Sequence, residues 1–362
     1  MEIGLSQIRQ ACRKGECRVL ARCGILADGR LIMTSQRLDT SGVDCFSPIE
    51  LCESLDGVKS WSNFERVPSF DAQIAPDGTR TVFGDVTHVY HQKTGASFVI
   101  GRRFVYRAGE KAPIKEPQNA LLYAVYDSQK NCFGAVRELD APMNLPYGFL
   151  SWGSQVVEVE NGEVLIPVAI PRCGSRYTSA VVRCGFDGRS LSLIGMSNEL
   201  DVPGGRGLFE GSLVRHGGRY YFTLRHNDAG YVSVSDDGRL FRAPVIWRWD
   251  NGTPLPTYNT QQHFLTCGKG LYLLYTRKGA DNDHVFRHRA PLFMAEVDTE
   301  RMCVLQATER TVIPNRGARL GNFGVTQLRD DSALVIAAEW MQPVGCERYG
   351  SDHSIFLAKI SD

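Results

Sequence analysis

Residues 208–225 read LFEGSLVRHGGRYYFTLR, two runs of apolar, aromatic and β-branched residues separated by a His-Gly-Gly turn. Two strand-forming runs joined by a short glycine turn make a β-hairpin. Glu210 stands near the start of the first run and Arg225 at the end of the second. Antiparallel pairing therefore brings a carboxylate and a guanidinium together at the open end of the hairpin. That placement needs a reason, because charge among apolar strands costs desolvation.

Relatives of this hairpin recur along the chain. They are RCGILADGRLIMTSQR from Arg22, FDAQIAPDGTRTVFGD from Phe70, SQVVEVENGEVLIPVAIPR from Ser154, NTQQHFLTCGKGLYLLYTRKG from Asn259 and GNFGVTQLRDDSALVIAAEW from Gly321. The turn glycines are Gly29, Gly78, Gly162, Gly217 and Gly268, and the sixth turn falls near Asp331. Each interval has room for a four-stranded unit. Such units repeated around an axis make a propeller, which leaves few strand edges exposed, whereas two flat layers would make a sandwich. The repeats predict an all-β, six-bladed β-propeller as a single domain over residues 1–362, with blades beginning near residues 20, 68, 152, 208, 258 and 319.

Charge narrows the partners. The chain carries 41 Lys and Arg against 40 Asp and Glu, a formal net charge of +1. Without a broad field, neither nucleic acid nor an anionic membrane is an expected partner. No apolar stretch is long enough to span a bilayer, and the opening MEIGLSQIRQACRKGECRVL lacks the apolar centre of a signal peptide. As written, the chain is expected in the cytoplasm, or in the periplasm or outside the cell if a leader has been removed. The oligomeric state stays open. Eleven cysteines without a CxxC spacing argue for buried free thiols. His88 and His91 fall on opposite faces of a strand, and the loop with Asp281, Asp283, His284 and His288 has no matched third ligand, so no metal is expected. VPGGRGLFE precedes a strand rather than a helix and suits no phosphate cradle, and no cofactor is expected.

In a propeller the innermost strand of each blade runs along the axis, so equivalent residues gather at one mouth of the channel. Seven residues before the turn glycines stand Arg22, Asp71, Gln155, Glu210 and Gln261, with Asn322 near the corresponding place in the last unit. The second strands return to the same mouth with Arg37, Asp85, Arg225 and Arg277. One charged pair would serve equally as a tether between strands. A whole ring of charged and amide groups at one level of apolar strands points to a polar ligand pocket.

The opening hairpin, followed by Asp44 and ESLDGVKSW, resembles the start of the sialidase (neuraminidase) superfamily. Members are six-bladed propellers with an Arg-x-Pro signature, a strand–DG–strand hairpin, an aspartate and a structural Ser-x-Asp-x-Gly-x-Thr-Trp turn, the Asp box of BNR repeats. Arg22 stands at the signature arginine, with Gly24 in place of proline, and Asp44 stands at the acid. Ser54, Asp56, Gly57 and Trp61 form a box with its glycine one place early, and SDDGRLF from Ser235 is a second. FEGSLVRHGGRYYFTLR is similar to the family's Glu-x-Ser–hairpin–Arg segment. This implies that Glu210 tunes a nucleophile and that Arg225 belongs to a carboxylate-binding arginine triad. HVFRHRAPLFMAEVD offers Arg287 and Arg289 as the third arginine, and Arg289 directly precedes the strand. The family's nucleophilic tyrosine has no match: Asn322 and Phe323 open the last blade, and an amide does not attack a sugar. Tyr258 and Tyr349 lie on neighbouring loops.

The resemblance implies an exo-acting glycoside hydrolase that removes a terminal acidic sugar from a glycan. Asp44, Glu210 and Asp71 are the expected catalytic carboxyls, since glycosidic cleavage uses a pair of them. Arg22, Arg225 and Arg289 are the expected carboxylate anchors, with Arg37 and Arg287 beside them, because guanidiniums pair bidentately with a carboxylate. Gln261, Asn322, Tyr258 and His284 would complete the pocket. Two alternatives use the same ring: a uronate lyase with a His or Tyr base, and a glycan-binding propeller that cuts nothing.

Overall fold

The computed structural model describes residues 1–9, 12–41, 44–114, 120–145, 147–328 and 331–362. The described residues contain no α-helix, only five short 3₁₀ turns between strands. The strands form six antiparallel sheets arranged as the blades of a propeller. Blade 1 is Glu16–Ile25, Leu31–Asp39, Glu50–Ser54 and Glu65–Arg66. Blade 2 is built on Arg80–His91, Ala96–Tyr106 and Leu121–Asp127, with short outer pieces. Blade 3 is Val157–Glu158, Val164–Arg172, Arg176–Phe186 and Leu191–Met196. Blade 4 is Phe209–His216, Arg219–Arg225, Gly230–Ser235 and Val245–Ile246. Blade 5 is built on His263–Cys267, Gly270–Tyr275 and Leu292–Asp298. Blade 6 is Gly324–Gln327, Ala333–Ala338, Ile355–Ser361 and, as its outer strand, the N-terminal Glu2–Ile8.

The N-terminal strand closes the ring, with Glu2 opposite Ser361 and Ile8 opposite Ile355. It ties the two ends of the chain into one sheet and covers an edge that would otherwise stay unpaired.

Middle strands such as Val164–Ile170 and Ala333–Ala338 are buried throughout. Apart from Pro167 their sequences are runs of Val, Ile, Leu and Ala, because a blade is covered by a neighbour on each face. The core is accordingly a set of layers between successive blades. Val89, Phe98 and Tyr123 of blade 2 meet Ile166 and Val182 of blade 3. Tyr221 and Trp247 of blade 4 meet Phe264 and Leu273 of blade 5. Met294 of blade 5 meets Val335 and Phe356 of blade 6, and Ile336 and Leu357 of blade 6 meet Met33 and Cys52 of blade 1.

Outer turns close on side-chain hydrogen bonds. Ser54 Oγ donates to Asp56 Oδ1 at 2.9 Å, and Ser235 Oγ to Asp237 Oδ1 at 2.9 Å. The Arg239 and Leu240 amides donate to the same Asp237 oxygen at 2.8 and 2.9 Å.

The second unit differs from the sequence expectation. The PDG turn at Gly78 closes only a two-residue ladder, Gln73–Ile74 against Arg80–Thr81. The axial strand of blade 2 is the longer run Arg80–His91, which turns at Gln92–Gly95 into Ala96–Tyr106.

Trp247 is fully buried between blades 4 and 5, and its indole N–H donates to Thr223 Oγ1 at 3.0 Å. Trp247→Ala should therefore cost about 3–5 kcal/mol, measured as a drop in the free energy of urea unfolding.

Candidate functional site

Three axial strands carry a β-bulge at the same level. Leu20 and Ala21 face the single residue Ser35 in blade 1, Asp85 and Val86 face Gly101 in blade 2, and Glu210 and Gly211 face Leu224 in blade 4. The first bulged residue is left-handed each time, with φ of 54° at Leu20, 51° at Asp85 and 47° at Glu210. Each such non-glycine residue costs on the order of 1 kcal/mol. A bulge turns side chains out of the regular alternation, and here it sends Arg22, Asp85 and Glu210 into one mouth of the channel. Asn259, at φ 44° ahead of the blade 5 strand, joins them.

Arg22 occupies the axis and is buried. Its Nη1 donates to the Asn322 carbonyl at 2.6 Å, its Nη2 donates to Gln261 Oε1 at 3.3 Å, and Asp85 Oδ1 lies 3.8 Å from Nη2. Gly153 of the blade 3 approach, at φ 55°, completes its cradle, since a Cβ there would stand 2.7 Å from Nη2. Gly324 does the same below, where a Cβ would meet Arg22 Cδ at 2.7 Å.

Two asparagines gather the other arginines. Asn259 Oδ1 accepts from Arg225 Nε at 3.1 Å and from Arg206 Nη2 at 3.1 Å, while its carbonyl accepts from Arg289 Nη2 at 2.6 Å. Asn322 Oδ1 accepts from Arg289 Nη1 at 3.1 Å, so one residue bridges Arg289 and Arg22. Arg225 Nη1 also donates to Glu210 Oε2, which answers the hairpin's charged pair: Glu210 and Arg225 are bonded and buried beside the axis. Arg206 and Arg225 lie over the Phe209 ring, at 4.2 and 4.9 Å from its centroid.

The carboxyls are shifted in opposite directions. Burial, with the nearby Glu210 charge, pushes Asp85 up to about 6 against the pull of Arg22. Burial also raises Glu210, yet Arg225, Arg289 and Arg206 together bring it below the ordinary carboxylate value. Two carboxyls whose environments separate their pKa values are the equipment of acid–base chemistry. Beneath Arg22, burial and its positive charge push His88 and His263 down to about 3, so both are neutral. His263 Nδ1 is 2.6 Å from Ser212 Oγ, and His88 Nε2 is 2.9 Å from Thr34 Oγ1. Below them the channel opens into a cavity of about 790 Å³ at the other mouth, where Gln155, Gln327 and Glu158 lie.

Of the remaining expected residues, some approach this mouth and others do not. Asp44 is half-buried on the loop after Leu31–Asp39, with φ 53°, and its carbonyl accepts from Tyr106 Oη at 2.7 Å. Its charge reaches Asp85 and Arg319. Arg287 is exposed on the rim at φ 56°, with its guanidinium 5.0 Å from the Phe286 ring centroid. Tyr258 lies under Lys278 at 4.1 Å. His284 packs on Tyr349 at 4.2 Å and sits 3.3 Å from Asn315 Nδ2.

Two expected residues lie away from this mouth. Asp71 bonds Arg66 in a surface groove with Phe83 and Glu138, because the Gly78 turn from which it was counted precedes the axial strand of blade 2 instead of following it. Arg37 is engaged within blade 1 by Glu16 at 3.2 Å and Glu50 at 3.1 Å. Asp85, expected only at a strand end, sits on the axial strand itself. Its trace in the sequence is the polar interruption Gly84–Asp85 within RTVFGDVTHVYH. Arg206, Asn259 and Arg319 also gather at this mouth, and they went unnoticed along the chain since they lie in approaches to blades rather than at a fixed distance from a turn. Among the described residues no group of three His, Cys, Asp or Glu side chains is placed to hold a metal, and all eleven cysteines are free thiols. No helix among them is long and apolar enough to cross a membrane.

The fold is that of a six-bladed, sialidase-like β-propeller, and arginines gather at one mouth of its axis. A protein of unknown function from Dyadobacter fermentans superposes with a TM-score of 0.72 at 15% identity, covering 99% of this chain and 100% of that one. Trypanosoma rangeli sialidase superposes with a TM-score of 0.66 at 13% identity over 99% of this chain, which spans 59% of that enzyme. The NanB sialidase of Streptococcus pneumoniae gives 0.67 at 10% identity, covering 94% of this chain and 68% of that one. No protein-family model matches the chain, and no curated protein matches it in sequence.

The raised Asp85 carboxyl binds its proton more tightly in the folded state than at its ordinary value of 3.8. Folded protein then holds the extra proton between about pH 4 and pH 6, so stability falls as pH rises through that window. Asp85→Asn should abolish the fall and gain on the order of 1–3 kcal/mol over wild type at pH 7, read from urea unfolding across that range.

Proposed function

We propose that this protein binds a terminal acidic sugar by its carboxylate and hydrolyses the glycosidic bond. The observation that carries the reading is the convergence of Arg22, Arg225 and Arg289 on the axial mouth, tied together through Asn259 and Asn322. Planar guanidiniums held in fixed orientations suit a planar carboxylate, which accepts two hydrogen bonds from each fork. The trypanosomal sialidase whose fold this chain shares has been captured with sialic acid, which supports the acidic-sugar class.

Asp44, on the open side of the mouth, is the proposed acid that protonates the leaving oxygen. Glu210 stays ionised beside Arg225 and is the proposed base that takes a proton from the attacking water. Water replaces a protein nucleophile in this scheme because Asn322 occupies the place of the tyrosine and its amide is bonded to Arg289. Asp85 and Gln261, both in contact with Arg22, would receive sugar hydroxyls. The serine–aspartate turns at Ser54 and Ser235 fit the structural role of Asp boxes.

Asn322 also favours a second reading, a propeller that recognises an acidic glycan and cuts nothing. Aryl glycosides of sialic acids, uronic acids and arabinose, offered to wild type, Asp44→Asn and Glu210→Gln, separate the two. Hydrolysis predicts release of the aryl group by wild type and a fall of at least about a hundredfold in either variant. Silence with sugar binding retained would establish the binding propeller. An unsaturated product absorbing in the near ultraviolet from uronate polymers would replace hydrolysis by elimination.

A further inference from the structure

The mouth holds more positive charge than one carboxylate needs. Besides Arg22, Arg225 and Arg289 it gathers Arg102, Arg206, Arg287 and Arg319, seven guanidiniums against the three carboxyls Asp44, Asp85 and Glu210. Elsewhere in the propeller arginines take a glutamate directly, as Arg277 does with Glu309 at 2.7 Å and Arg37 with Glu50 at 3.1 Å. At the mouth Arg225 has Glu210 and Arg22 has Asp85 at 3.8 Å, but neutral groups stand in that place for the other arginines. Three guanidiniums share the single Asn259, and Arg319 donates to Gln342 Oε1 at 2.7 Å. Arg319 lies 4.0 Å from the Trp340 ring centroid and 5.1 Å from that of Phe286, whose ring also carries Arg287 at 5.0 Å. Among the described residues, Arg206, Arg287, Arg289 and Arg319 have no carboxylate within ion-pair distance. The Nε atoms of Arg289 and Arg319 are buried without a hydrogen-bond partner.

Aromatic faces and amides orient a guanidinium without neutralising it. Like charges crowded on neutral acceptors leave a standing field at the mouth, which an anion relieves. The Leu320 amide donates to the Arg289 carbonyl at 2.6 Å, so the Arg319 segment runs directly beside the proposed carboxylate anchor.

We propose that the ligand carries a second anionic group next to the sugar carboxylate, held by Arg287 and Arg319 around Phe286. A sulfate or phosphate ester, or the carboxylate of an adjoining acidic sugar, supplies that chemistry. The inference rests on the carboxylate-anchoring reading above and narrows its substrate to dianionic or longer polyanionic acidic glycans.

Calorimetric titration at fixed ionic strength tests it with matched pairs: N-acetylneuraminic acid against its α2,8-linked dimer, and glucuronic acid against a sulfated uronate disaccharide. Whichever member supplies the second anion in the right place should bind at least about tenfold more tightly than its monoanionic partner. Preference for the dimer alone would identify a carboxylate as the second group, and preference for the sulfated sugar alone an ester. Arg287→Gln, an exposed change, should bring the ratio within each pair close to one. Arg319→Lys, which keeps the charge but loses the fork, should reduce it to a smaller degree. Equal affinity for both members of both pairs in wild type, or an unchanged ratio in Arg287→Gln, would overturn the inference while leaving the carboxylate anchor intact. Failure of every acidic sugar to bind would instead overturn the anchoring reading on which it rests.

Discussion

A single buried guanidinium at the axis organises this propeller. Arg22 comes from blade 1, bonds the approaches to blades 5 and 6 through Gln261 and Asn322, faces Asp85 of blade 2 and lies against Gly153 of the blade 3 approach. A charge taken out of water must be met by acceptors, and its side chain must find space among backbones that otherwise close on the axis. The acceptors are amide and carbonyl oxygens, and the space is made by glycines. The surrounding strands are thereby committed to converging carbonyls and amides where a hydrophobic plug would have served stability better. Even the two channel histidines below it are kept neutral partly by its charge.

The rest of the mouth departs from local preference in the same way. Left-handed backbone at Leu20, Asp85 and Glu210 is unfavourable, and the blades hold it because each bulge is flanked by regular ladders. Asp85 is kept above its ordinary range and Glu210 below it within the same cluster. Arg206 and Arg225 share the neutral side-chain oxygen of Asn259, and Arg289 takes its carbonyl. Departures from local rules that coincide at one place and are compensated by the layers between blades are the expected signature of a site. The blade layers, by contrast, are uniformly apolar and regular.

Much of this was legible along the chain. The hairpin of blade 4 and its relatives in blades 1, 3, 5 and 6 announce themselves by apolar runs and turn glycines, because a strand buried on both faces must be apolar and a tight reversal favours glycine. Arg22, Gln261 and Glu210 stand at a fixed distance from those turns, and the structure brings them with Arg225, Arg289 and Asn322 to one mouth. Blade 2 misled because a PDG turn looks the same whether it closes a blade or a two-residue ladder. The N-terminal strand was silent for a different reason. It is an outer strand, exposed along most of its length, and its partner lies at the far end of the chain.

By itself the sequence determined the architecture and the polarity of the axis. Hydrophobic periodicity and turn chemistry are local properties, written into a few neighbouring residues and repeated along the chain. Only the tertiary structure decided which charged groups meet. Asp85 rather than Asp71 approaches Arg22 because a bulge, set by pairing with a strand one hairpin away, turns it inward. Arg206, Asn259 and Arg319 join the site from connecting segments whose course depends on the closure of the ring. Proximity between residues tens to hundreds of positions apart is a property of that closure, and so is the excess of positive charge it creates.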